Sequence, residues 1–193
     1  MAIILASASP RRQQLLRQMG LTFSVKIADI EETISPRDLP RETVQRLSAQ
    51  KAAAVAAQCD AHDVIIAADT IVVLDEKILG KPKDAADAKR TLRMLSGRSH
   101  HVLTAFTVAQ GERTYTGIDD SAVQFRELTD GEIDDYVATG EPLDKAGSYG
   151  VQGEGGRLIE AIHGDYYNVM GLPIGHLASI LHRFGVHITG ENN

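Results

Sequence analysis

The pattern of apolar and polar positions centres on one stretch, Val64-Ile65-Ile66-Ala67-Ala68-Asp69-Thr70-Ile71-Val72-Val73-Leu74. A run this apolar and this rich in β-branched residues predicts a strand covered on both faces. Asp69 is its exception. A lone carboxylate inside such a strand must find a partner, lose its charge or bind a cation. An aspartate at a strand end can instead cap a turn, but the apolar run continues through Leu74. That continuation favours a carboxylate aimed into a cleft, where it can hold a metal or take a proton from water.

Helical periodicity marks the flanking elements. Ala2 to Ala6 reads as a short buried strand, followed by Ser7-Ala8-Ser9-Pro10-Arg11-Arg12. Ser9 suits an N-cap and Pro10 the first helical position, with Leu15, Leu16 and Met19 as the inner stripe and Gly20 at the end. A helix start of this kind, with two arginines beside it, can present N–H groups to an anion, or can simply be capped and solvated. Phe23 to Ile27 suggests a second strand, before an acidic loop holding Asp29, Glu31 and Glu32 and running on to Pro36 and Pro40. From Arg41 to Gln58 a helix places Val44, Leu47, Lys51 and Val55 on one stripe. Lys51 either snorkels over the core or reaches an anionic ligand, and periodicity does not choose between them. On the second reading, Lys51→Met should keep stability and lose turnover.

After the central strand, Asp75-Glu76 predicts a tight turn pairing Leu74 with Lys77, which returns Lys81 opposite Thr70. Asp84 to Leu95 reads as a helix ended by Gly97. His101 to Ala109 and Arg113 to Arg126 read as an antiparallel pair. Thr129 to Thr139 reads as a helix with Thr129 and Glu132 in a capping box. The glycine-rich run from Asp144 to Gly156 excludes regular structure at low cost and suits close approach of backbone to a ligand. Leu158 to Ile162 suggests a strand, Gly171-Leu172-Pro173 leads into a helix ending near Phe184, and Val186 to Ile188 suggests a short strand.

Composition narrows the classes. The 193 residues allow one domain, or two small lobes sharing a core. Hydrophobic residues at 43% and charged ones at 24% fit a globular chain. A net charge of -6 argues against a broad basic surface for nucleic acid. Cys59 is the sole cysteine, so an intrachain disulfide is excluded, and with no signal-peptide pattern a reducing cytoplasm is the expectation. The apolar start is too short to span a bilayer. No dinucleotide fingerprint, P-loop or nucleophile elbow fits, and the seven histidines lack H-x-x-x-H zinc spacing. His100 and His101 should point to opposite faces of their strand.

Five ordered segments carry a resemblance: Leu5 to Arg12, Ala68 to Val72, Leu79-Gly80-Lys81-Pro82, Asp144 to Gly153, and Gly171-Leu172-Pro173. Together they resemble the Maf family of nucleoside triphosphate pyrophosphatases, nearly end to end. The resemblance implies a single domain over 1–193, with an elongated mixed sheet flanked by helices and a cleft between two lobes, related to inosine triphosphate pyrophosphatases. It implies a cytoplasmic homodimer and a divalent cation, Mg²⁺ or Mn²⁺. The implied reaction cleaves a nucleoside triphosphate to monophosphate and diphosphate. By the same resemblance Asp69 is the proton acceptor, Lys51 and Lys81 are the lysines of the cleft, and Glu32 with Asp69 would hold the metal. Ser7, Arg11 and Arg12 match the phosphate-binding turn. Arg12, Thr70 and Gln152 look like the branch cleaving dTTP and UTP. A branch acting on methylated GTP carries Gln after the Asp and Glu in the loop; a non-catalytic regulator of septum formation is the other alternative.

Overall fold

A computed structural model of the chain describes residues 1–33 and 39–188. The loop expected around Pro36 lies outside them. The predicted central strand, β3 (Val64–Leu74), is buried at every position except Thr70, which is half-buried. One edge of β3 pairs antiparallel with β5 (Ser99–Gln110), from Ile65↔Ala109 to Val73↔His101. Its other edge is shared. β1 (Ile3–Leu5) pairs parallel from Ile3↔Val64 to Leu5↔Ile66, and β4 (Lys77–Leu79) pairs antiparallel from Val72↔Leu79 to Leu74↔Lys77. Between them, Ala67 to Ile71 have no strand partner on that edge among the described residues. The seven-stranded sheet is completed by β2 (Ser24–Val25) beside β1, and by β6 (Arg113–Phe125) and β7 (Ile159–His163) beyond β5.

Helices cover both faces, as expected of this fold class. The α2 helix (Pro40–Ala56) buries Val44, Leu47 and Val55 on the face carrying Ala67, Ile71 and Val73. On the opposite face, α1 (Pro10–Gln18) and α6 (Ile174–Arg183) pack Leu15, Leu16, Leu177 and Leu181 against Ile66, Ala68 and Phe106. Farther along that face lie α3 (Ala85–Leu95) and α4 (Asp130–Ala138), over Val72, Val102 and Phe125. Ser9 and Pro10 start α1, and the Thr129–Glu132 capping box starts α4, as their sequences predict.

The structure departs from expectation in four places. The strand predicted over 23–27 shrinks to two residues, because its template β1 is itself only three long. Val186 to Ile188 form no strand; Val186 is buried against the core instead. A five-residue helix, α5 (Tyr166–Met170), was not expected, since a single turn shows no period. The Asp75-Glu76 turn pairs Leu74 with Lys77 as predicted, with both turn residues at positive φ (49° and 66°). The ladder stops at Leu79, so Lys81 does not pair with Thr70.

The glycine-rich segment folds around an internal carboxylate. Glu141 accepts hydrogen bonds from Tyr136 Oη (2.9 Å) and from the backbone N–H groups of Glu154 (2.9 Å) and Gly155 (3.2 Å). Tyr136 Oη in turn accepts from Gly150 N (3.1 Å). A Cβ on Gly153 would collide with the Glu141 carboxylate, and one on Gly155 would lie 2.5 Å from Tyr136 Oη. Burial alone would raise the Glu141 pKa, but these donors hold it below the ordinary carboxylate value. Tyr136→Phe strips a donor from Glu141 and an acceptor from Gly150. It should lower stability by about 1–3 kcal/mol, read as a lower urea midpoint at unchanged m-value.

Beside this loop, His100 and His101 do face opposite ways. His101 is exposed, whereas His100 is buried with Nε2 2.8 Å from Tyr149 Oη and its ring edge-on to Phe125. Burial pulls His100 down from 6.5 to about 4, so the folded protein holds it neutral. The unfolded chain therefore binds this proton first. The stability it contributes is complete above the unfolded pKa near 6.5 and is lost as pH falls toward 4. The loss should reach about 3 kcal/mol. Urea titrations at pH 4.5 and 7 should show it in the native chain and a smaller difference in His100→Gln.

Candidate active site

A cleft of about 700 Å³ opens where the edge of β3 lacks a strand partner. Its walls are the turn from β1 into α1, Lys51 of α2, the segment from β4 to Lys81, and the loop from Asp144 to Val151. Asp69 and Thr70 are consecutive, so they leave β3 on opposite faces. Both line the cleft because the bare edge exposes both faces to one space.

On the α2 face, Asp69 is only 8% exposed. Its Oδ1 lies 2.5 Å from Lys51 Nζ, and the same ammonium is 2.8 Å from Glu32 Oε1. The Lys51 side chain is itself 13% exposed, so it does not snorkel to solvent. It turns inward from the apolar stripe and gathers two carboxylates around one positive charge.

On the other face, Arg12 is used differently from the expectation that it binds phosphate. Its Nε donates to Gly171 O (2.8 Å), Nη1 to Ala68 O (2.8 Å) and Ser7 Oγ (3.2 Å), and Nη2 to Thr70 Oγ1 (3.0 Å). The bond to Ala68 O satisfies a backbone carbonyl that the missing strand would otherwise have taken. Burial, more than any charge, pulls the Arg12 pKa below its ordinary value, and Asp69 opposes that shift. Arg11 and Lys81 also line the cleft, and neither donates a hydrogen bond to another described residue. They are the cations available to an anion. Ser7 is buried at the mouth of α1; its Oγ accepts from Ser9 N (3.2 Å) and Arg12, leaving its own hydrogen to give.

Gln152 departs from expectation. It is exposed and absent from the cleft wall, where Tyr149, Gly150 and Val151 stand instead. Two wall residues had not been singled out: Asp144 and Lys145, whose ammonium bonds Asp144 Oδ1 (2.7 Å) and Glu141 O (2.8 Å). The adjacent Asp-Lys pair ahead of the glycine run was the signal available for them.

Asp69 and Glu32 each give one oxygen to Lys51 Nζ, and the second oxygen of each carboxylate is a hard donor suited to Mg²⁺ or Mn²⁺. Among the described residues no group of three His, Cys, Asp or Glu could hold a metal. A cation there would need further oxygens from a phosphate ligand, as such sites commonly use.

The fold and the cleft define an α/β protein that surrounds a buried, lysine-paired carboxylate with cations. The chain belongs to the Maf-like protein family, whose model matches residues 2–184. A Bacillus cytotoxicus protein named dTTP/UTP pyrophosphatase is 49% identical over 181 residues, 94% of each chain. A protein of the same name from Bacillus cereus strain AH820 is 46% identical over 187 residues, 97% of each. In fold, the chain is similar to a HAM1 protein from Coxiella burnetii, with a TM-score of 0.51 at 18% identity, covering 95% of this chain and 100% of that one.

The geometry changes the expectation for Lys51→Met. Removing the ammonium strands the buried Asp69 carboxylate, so the variant should lose about 3 kcal/mol. Adding Asp69→Asn should restore most of that loss. Urea unfolding of the two single variants and the double variant checks this; additive losses would mean that the pair is not coupled.

Proposed function

We propose that this chain hydrolyses nucleoside triphosphates, with dTTP and UTP preferred, to the monophosphate and diphosphate. The observation that carries the reading is Lys51 drawn between Asp69 and Glu32 at the bare edge of β3, with Arg11 and Lys81 lining the same cleft. The names of the relatives at 46–49% identity support it. In this reading a water attacks the α-phosphorus, the bond to the α,β-bridging oxygen breaks, and diphosphate leaves. Asp69 takes the proton from that water, held in place by Lys51. Arg11 and Lys81 receive the charge that grows on the leaving diphosphate, with the first-turn N–H groups of α1 and the Ser7 hydroxyl steadying the phosphate chain. A divalent cation held by Asp69, Glu32 and the phosphates would neutralise further charge when bound.

Arg12 has a supporting part in this reading: it positions Thr70 and closes the edge, and does not itself grip phosphate. A base beside Thr70 would meet the loop at Gly150 and Val151, with Gln152 the next residue along it. We further propose one domain whose two lobes share the cleft, acting as a cytoplasmic homodimer. The acidic net charge speaks against a nucleic-acid partner. No helix among the described residues is long and apolar enough to cross a membrane.

Diphosphate release from dTTP, UTP, CTP, GTP and 7-methyl-GTP, under one condition with Mg²⁺ or Mn²⁺, tests the reading. The expected order puts dTTP and UTP first, with Gln152→Glu eroding the preference. A purine nucleotide turned over fastest would overturn the specificity. Asp69→Asn should reduce hydrolysis by ~100- to 10,000-fold while the variant still folds. Near-native turnover by that variant at saturating metal would remove Asp69 from the chemistry.

A further inference from the structure

Thr70 faces Thr104 across the β3–β5 ladder, and Thr104 is fully buried and does not line the cleft. Thr104 Oγ1 donates to Asn168 O at 2.8 Å. A hydroxyl has one hydrogen, so that bond consumes it. The contact between Thr70 Oγ1 and Thr104 Oγ1, at 3.0 Å, can then form only if Thr70 is the donor. The bond from Arg12 Nη2 agrees, because a guanidinium offers donors alone and Thr70 must accept from it. The hydroxyl hydrogen of Thr70 therefore points into the protein. Toward the cleft Thr70 keeps one lone pair and nothing to donate.

Asn168 makes this direction rigid. Its Nδ2 donates to Val102 O (2.9 Å) and Ser121 Oγ (2.8 Å), and its backbone carbonyl also takes Gly171 N (2.9 Å). Gly171 O receives Arg12 Nε, which closes a ring through Arg12, Thr70, Thr104, Asn168 and Gly171. Every bond in the ring has one possible sense.

We infer that Thr104 is a positioning residue for base selection: it makes Thr70 an obligate acceptor, so the cleft selects a ligand presenting N–H at that point. This rests on the proposed reading that the base of a nucleoside triphosphate sits beside Thr70. Uracil and thymine carry a hydrogen on N3, whereas cytosine has a lone pair there and would face the Thr70 lone pair unpaired. The inference thus adds discrimination between UTP and CTP, two pyrimidines of nearly equal size.

The test is kcat/KM for UTP and CTP in the native chain and in Thr104→Val and Thr104→Ser, each checked by thermal melt. Thr104→Val keeps the shape but frees the Thr70 hydroxyl to turn outward and donate, so the UTP/CTP ratio should fall about tenfold. Thr104→Ser keeps the hydroxyl and should keep the ratio. Should the valine variant not fold, Thr104→Ala leaves room for a water, which can donate either way, and should lose the ratio too. A valine or alanine variant that slows both substrates equally would overturn the inference. So would a serine variant that loses the ratio along with valine. If the native chain turns over no nucleotide, the proposed function fails and takes this inference with it. A native preference for UTP that survives Thr104→Val sinks the inference alone.

Discussion

The cleft depends on five residues of β3 that, among the described residues, no strand pairs on one edge. Ala67 to Ile71 lie between the ends of β1 and β4, so their outward backbone groups must be satisfied by something other than a ladder. Arg12 supplies one such partner at Ala68 O. The remaining gap is the space a ligand can enter. A strand buried in mid-sheet divides its side chains between two separate cores. Here the gap lets both faces meet, with Asp69 and Lys51 on one side and Thr70 and Arg12 on the other.

The two cations nearest the gap are placed by opposite logics. Lys51 is drawn into a buried pair with Asp69 and also reaches the exposed Glu32, an arrangement that contributes little net stability but holds charge at a defined point. Arg12 is tied into neutral oxygens, where its planar fork serves geometry more than charge. That division leaves Arg11 and Lys81, which line the cleft, to meet an anion. The loop across the cleft follows a similar division. Its glycines answer mainly to Glu141 and Tyr136 behind the wall, and only Gly150 among them also lines the cleft.

Much of this was legible from local pattern. The apolar run with one carboxylate named β3 and Asp69, the helical stripe placed Lys51 over the core, and Asp75-Glu76 announced the hairpin. What stayed hidden depends on groups far apart in sequence. That Arg12 spends its donors on Gly171, Ala68 and Thr70 follows from strand order, which no local window contains. The glycines after Asp144 looked like a ligand cradle because a glycine shows that something comes close, and not what. Gln152 was placed by its neighbours in a motif, whereas the chain turns Tyr149, Gly150 and Val151 to the cleft and leaves Gln152 exposed. Short elements such as β2 and α5 lack the length that makes a period visible.

The ring through Arg12 and Gly171 also bears on how the protein is made. The bond between them spans 159 positions, from the second residue past Pro10 to the approach of the last helix. Contacts of such separation form late, since their loop-closure entropy is repaid only when the intervening chain is in place. On the ribosome, β1, α2 and β3, with Lys51 and Asp69, emerge while the C-terminal segment is still unmade. The residues that orient Arg12 and Thr70 come last, so a partly synthesised chain carries Lys51 and Asp69 before it carries the groups that fix Arg12 and Thr70.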